Sequence, residues 1–180
     1  MAFDANAPGS QTLQGWLLND NFMMRGTFGA PYEFLWANPY QPGLNYYRAP
    51  LAMHDANIGR LFVRSSWEDS ASWLGFFGGQ LQVFEDGRIT ALHADQQAEP
   101  LMLTSAVILF AAHQQKFKVA VAGKEPVFAV GLKPHQRYLV EVDDEEMSEV
   151  PTDPGGILQL SLPPQAETGV RWHAAPSKTP

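Results

Sequence analysis

The fold this sequence predicts is an all-β antiparallel sandwich, and three observations predict it. From residue 57 onward, apolar and polar residues alternate with a period of two. Turn residues break the alternation about every 8–12 residues, the spacing of a sandwich rather than of strands joined by crossover helices. One break, Asp86-Gly87, sits between Leu81-Gln82-Val83-Phe84 and Arg88-Ile89-Thr90, the strongest short-range hairpin signal a sequence carries.

The elements follow in chain order. Residues 1–56 read as a wrapping or linker segment. Pro and Gly recur every few residues up to Pro50, so no helix much longer than 11–19 fits. The same stretch is rich in rings, including Phe22, Phe28, Tyr32, Phe34, Trp36, Tyr40, Tyr46 and Tyr47. Loop composition with that much apolar area predicts a segment that wraps another surface and buries its rings there. Residues 57–125 read as the antiparallel sandwich. Leu61 and Val63 face one way, and Arg60, Phe62 and Arg64 the other. Trp73-Leu74-Gly75-Phe76-Phe77 is the next strand, then the Gly78-Gly79 turn and the Asp-Gly hairpin. The run 101–112 suits either a buried helix or a buried strand pair, and its β-branched Thr104, Val107 and Ile108 favour the pair. Residues 117–122 alternate again. Residues 126–174 read as a small Ig-like module that shares or adjoins the core, with strands at 126–132, 138–142, 157–162 and 169–173. Residues 175–180 are a tail.

Composition excludes several functions. Of 180 residues, 12 are Lys or Arg and 19 are Asp or Glu, a net charge of −7 with no basic stripe to offset it. Such a chain repels phosphate backbones and anionic lipid, so neither nucleic acid nor membrane is an expected partner. The most apolar run, 106–112, is far shorter than a membrane span. With no Cys there is no disulfide, thiolate nucleophile or thiolate metal ligand. The N-terminus lacks the basic and apolar regions of a signal peptide. The expected compartment is the cytoplasm if Met1 is the natural start, and the periplasm or exterior if the chain is part of an exported parent. There is no G-x-S-x-G, no P-loop and no G-x-G-x-x-G after a strand, and no cofactor is expected.

Two clusters carry candidate chemistry. Around Arg64, Trp67 and Trp73, indole faces suit the apolar faces of pyranose rings, while Arg and carboxylates suit their hydroxyls. The competing reading makes both Trp residues core anchors. Around Tyr40, Tyr46, Tyr47, Arg48, His54 and Asp55, a Tyr or His suits proton abstraction next to a uronate carboxylate neutralised by Arg48. There the competing reading is a wrapping loop with buried rings and a surface His. The five His residues (54, 93, 113, 135 and 173) include no pair at metal-ligand spacing. Asp143, Asp144, Glu145, Glu146 and Glu149 lack the spacing of a calcium loop and read as a solvated acidic hairpin, so no metal is expected.

The stretch 59–79, GRLFVRSSWEDSASWLGFFGG, resembles the strand–loop–strand of heparinase II/III-like proteins. In those proteins an R-S-x-W-x-x-x-A pattern, here Arg64-Ser65-Ser66-Trp67 through Ala71, opens the β-sheet domain that follows a helical toroid. Residues 34–43 resemble the linker leaving that toroid. The resemblance implies polysaccharide lyases acting by β-elimination on uronate chains, or their non-catalytic relatives. This chain is too short and too β-rich to hold the toroid, which supplies much of the family's cleft, and the matching stretch carries over no catalytic residue.

Together these readings predict a non-catalytic carbohydrate-associated domain of a polysaccharide-lyase-like protein, with Arg48, Arg64, Trp67 and Trp73 toward a polysaccharide or oligosaccharide. One alternative is a uronate lyase with Tyr46 or Tyr47 as base and His54 as its partner. Another is an interaction domain that docks on a toroid domain of a longer chain.

Overall fold

Two runs of the chain are apolar without alternation, Ala106–Phe110 and Val127–Val130, and every residue in both is buried. Strands with two buried faces need a layer on each side. The computed structural model supplies both layers. It describes residues 7–19, 43–111, 115–121, 125–145, 148–163 and 165–176. The chain divides into two compact units, Met1–Pro50 and Leu51–Pro180.

In the first unit, helix α1 spans Pro8–Asn19. It starts at Pro8 rather than at Gln11, because proline suits the first turn, where an N–H has no intrahelical partner. The Leu44 N–H donates to the Gln11 carbonyl at 2.9 Å. Gly15 makes that approach possible, since a Cβ there would lie 1.8 Å from the Leu44 oxygen. A single 3₁₀ turn, Tyr46–Arg48, follows, and the Asn45 side chain caps it by accepting from the Tyr47 N–H at 2.9 Å. The rings expected to wrap, Phe22 through Tyr40, lie outside the described residues.

In the second unit the strands are, in chain order, β1 (Ala52–Asp55), β2 (Arg60–Arg64), β3 (Trp73–Phe77), β4 (Gln80–Glu85), β5 (Arg88–His93), β6 (Leu101–Leu103), β7 (Ala106–Phe110), β8 (Lys116–Val121), β9 (Val127–Val130), β10 (Arg137–Val142), β11 (Ser148–Pro151), β12 (Leu158–Leu160) and β13 (Gln165–Ala174). They form three sheets: a five-stranded meander β1-β2-β3-β4-β5, a central sheet β12-β9-β7-β6 and a third sheet β11-β10-β13-β8. The result is an all-β sandwich of three layers.

Period-two alternation in the central strands sorts the core into two halves. Ala106, Ile108, Phe110, Phe128 and Val130 pack against Leu61, Val63, Leu74, Phe76 and Leu81 of the meander. Val107, Leu109, Val127, Ala129, Leu158 and Leu160 pack against Phe117, Val119, Tyr138, Val140, Val170 and Trp172 of the third sheet. Trp172, almost fully buried, stacks on Phe117 with centroids 5.1 Å apart.

The run 101–112 contains a strand pair, β6 and β7, joined by a turn. Among the described residues all pairings are antiparallel except β7 with β9, which run parallel. The intervening β8 crosses to the third sheet, so the chain returns beside β7 in the same direction. Strands from both sides of 123–126 therefore share the central sheet. The Asp-Gly hairpin has the expected two-residue turn, with Glu85 opposite Arg88 and positive φ at Asp86 (49°) and Gly87 (75°).

Candidate functional site

Because Leu61, Val63, Leu74, Phe76 and Leu81 fill the core, alternation turns the intervening residues of the meander outward. Register then places Met53 beside Phe62, Phe62 beside Gly75, Arg64 beside Trp73, Trp73 beside Phe84, and Phe84 beside Ile89. This outward face is unusually apolar. Met53, Phe62 and Ile89 are 61%, 43% and 62% exposed, and Trp73, Phe77 and Phe84 are half-buried. Trp73 stacks on Phe84 with centroids 5.3 Å apart and planes 13° from parallel. Gly75 leaves a gap between two rings: a Cβ there would lie 3.3 Å from Phe77 Cε1 and 3.5 Å from Phe62 Cε1.

The loop between β2 and β3 adds Trp67. Serines pin this loop: the Ser65 N–H donates to the Ser72 carbonyl at 2.9 Å, and the Ser72 N–H to Ser65 Oγ at 3.0 Å. The Glu68 N–H donates to Ser66 Oγ at 3.1 Å, and the Ala71 N–H to the Glu68 carbonyl at 3.1 Å. The loop is thereby closed under Trp67, and the Arg64 guanidinium lies 5.0 Å from the Trp67 ring centroid, within cation–π range. Arg64 Nε is buried and has no hydrogen-bond partner among the described residues. Three of the sequence-predicted binding residues, Arg64, Trp67 and Trp73, thus meet on one face.

The second sequence cluster is distributed differently. Tyr46, Tyr47 and Arg48 belong to the first unit, where the two Tyr rings stack with centroids 4.6 Å apart. Tyr40 lies outside the described residues. His54 belongs to the second unit, on the inward face of β1, opposite Leu61. Its Nε2 lies 2.8 Å from Asp153 Oδ2, its Nδ1 lies 3.2 Å from Gln159 Oε1, and its ring meets Phe128 edge-on at 5.5 Å. The His54 and Asp153 side chains are only 9% and 4% exposed. Asp153 Oδ1 also accepts the N–H groups of Gly155 and Ile157, both at 2.8 Å. One carboxylate thus shapes the turn before β12 and ties it to β1. Beside this tie, Gly59 and Gly155 meet backbone to backbone. A Cβ on Gly155 would lie 2.3 Å from the Gly59 oxygen, and one on Gly59 would lie 2.0 Å from the Gly155 nitrogen. The turn Asp153-Pro154-Gly155-Gly156 is legible in the sequence; its partner His54, 99 positions away, is not.

The outward face of the third sheet is ionic instead. Lys116, Lys118, Glu141, Asp143, Asp144, Glu167 and Arg171 line a groove of about 260 Å³. Lys118 pairs with Glu167 at 2.6 Å, and Arg171 pairs with Glu141 through both Nη2 and Nε. The hydrogen bond from Arg171 holds the Glu141 carboxyl below its ordinary range, against the opposing effect of desolvation. In return, Glu141 raises Arg171 and Glu167 raises Lys118. These pairs occupy Lys118 and Arg171, so an anionic ligand there would have to displace Glu167 or Glu141. Asp143 Oδ1 is taken up by the Gly169 N–H at 2.6 Å. Among the described residues no three His, Asp or Glu side chains converge as a metal site. His113 and Glu146 lie outside the described residues, and no helix among those described is long and apolar enough to cross a membrane.

Comparison with protein-family models, with curated proteins and with solved structures finds no match to the chain.

Proposed function

We propose that the second unit is a non-catalytic carbohydrate-contacting module and that the outward face of its five-stranded sheet takes the sugar. The observation that carries this reading is the meeting of Arg64, Trp67 and Trp73 on a face whose opposite side is already committed to the core. Flat rings on an open sheet suit the C–H faces of pyranose units. Polar groups among the rings suit hydroxyls: Arg60, Gln80 and Gln82 alternate outward with Phe62, Phe77 and Phe84. The Arg64 guanidinium, 5.0 Å from the Trp67 ring centroid, adds hydrogen-bond donors beside the rings. The resemblance of 59–79 to heparinase II/III-like proteins points to the same ligand class.

An open face that stacks two or three rings gives weak binding, with dissociation constants on the order of 0.1–1 mM. Calorimetric titration with neutral and uronate oligosaccharides tests the proposal. Trp67→Ala and Trp73→Ala, at partly exposed positions, should stay folded and weaken binding at least about tenfold, the loss of about 1.4 kcal/mol of stacking. Wild-type protein that binds no glycan, or variants that bind as well as wild type, would refute the proposal.

A further inference from the structure

We propose that β5 is an assembly edge through which two copies of this chain pair antiparallel, joining two five-stranded sheets into one of ten strands. This rests on the backbone of β5 and not on the glycan reading.

β5 is the last strand of the meander, so one side of its backbone is unpaired within the sheet. The two-residue turn makes Glu85 and Arg88 a hydrogen-bonded pair, and such pairs alternate along the ladder. Thr90 and Leu92 therefore spend their N–H and C=O groups on β4. Ile89, Ala91 and His93 point theirs away; the His93 carbonyl is taken by the 3₁₀ turn Ala94–Gln96 that His93 caps, and the other five groups have no backbone partner among the described residues.

Natural sheets protect such edges with brevity, Lys, Pro or a bulge. The other edges here carry those devices. β6 and β12 are three residues long, β8 carries Lys116 and Lys118, β11 ends in Pro151, and β1 is four residues long and ends in Asp55. β5 has six residues in unbroken register, without Lys, Pro or carboxylate, and all but Leu92 are exposed.

The proposed register centres on Ala91, the middle of the three outward-pointing residues. With Ala91 opposite Ala91 on a two-fold axis, Ile89 of each copy faces His93 of the other, and the three pairs form about four hydrogen bonds, since the His93 carbonyl is spent within its own turn. Arg88 of each copy then lies against the turn of the other that carries Asp95, so opposite charges meet although the chain is acidic overall.

A ladder this short makes a weak dimer, so sedimentation equilibrium of the full chain should span about 10 µM to 1 mM. The average mass should rise from 19.9 kDa toward twice that value. Ala91→Lys and Ala91→Glu each set like charges across the axis on the exposed face and should associate at least about tenfold more weakly, with unfolding temperatures unchanged. An equimolar mixture of the two variants should recover association. A wild-type mass constant at 19.9 kDa up to about 1 mM, or variants that associate as strongly as wild type, would overturn the proposal.

Discussion

Replacing Asp153 by Ala removes one carboxylate that three donors share: His54 Nε2, the Gly155 N–H and the Ile157 N–H, each at 2.8 Å. Leaving the nearly buried His54 ring N–H without its acceptor costs about 1–3 kcal/mol. Each orphaned backbone donor adds about 1–3 kcal/mol where water cannot reach it. Gly155 is half-buried and recovers part of that cost from solvent, whereas Ile157 is fully buried. A net loss of about 4 kcal/mol is expected, a large part of the stability of an ordinary domain. Urea unfolding followed by circular dichroism measures it. Asp153→Asn keeps one oxygen for the two N–H groups and should lose only about 1–2 kcal/mol. His54→Ala should cost about 2–3 kcal/mol, since Asp153 keeps its backbone donors. The double variant His54→Ala with Asp153→Ala should be scarcely worse than Asp153→Ala alone, because the two residues share one interaction. A loss under about 1 kcal/mol for Asp153→Ala, or fully additive single losses, would refute the tie between β1 and the turn before β12.

Three further outcomes follow from the same packing. Gly155→Ala should destabilise by more than about 2 kcal/mol, because the neighbouring atom is the Gly59 backbone rather than a flexible side chain; Gly78→Ala, in open space at φ 58°, should cost only about 1 kcal/mol in thermal melts. Trp172→Ala should cost about 3–5 kcal/mol, whereas Trp172→Phe should cost less than half of that, since the indole N–H has no hydrogen-bond partner among the described residues. Arg171→Gln should narrow the stability difference from wild type as pH falls. Glu141 titrates below its ordinary 4.5 when folded, so its contribution is fully present above that value and is lost as pH drops through the lowered one; denaturation midpoints from pH 7 to pH 3 read the convergence.

Local signals made much of the fold legible. Asp86-Gly87 set the hairpin and its register, and the alternating runs became β2, β4, β8 and β10. The unalternated runs in β7 and β9 announced burial, but not that the layer would lie between two others. That depends on pairings such as Val107 with Val127, which no local pattern encodes. β1 and β11 were hidden for different reasons. β1 is short and follows a Pro-rich stretch, and β11 follows an acidic run that reads as loop. Of the site, Arg64, Trp67 and Trp73 were legible because one strand–loop–strand holds them all. Phe62, Phe77, Phe84 and Ile89 joined them only through register across four strands. His54 stands near Tyr46 and Tyr47 in sequence, but its contacts with Asp153 and Gln159 are long-range and lie beyond any local pattern.

The central claim is that the Arg64–Trp67–Trp73 face of the meander contacts carbohydrate. Its most direct test is an NMR titration of the ¹⁵N-labelled chain with the glycan that binds tightest in calorimetry, reading the indole N–H signals. The indoles of Trp67 and Trp73 should shift with saturable dependence on ligand, while that of Trp172, buried between the central and third sheets, stays fixed. Shifts confined to the groove of Lys116, Lys118 and Arg171, with Trp67 and Trp73 unmoved, would contradict the claim.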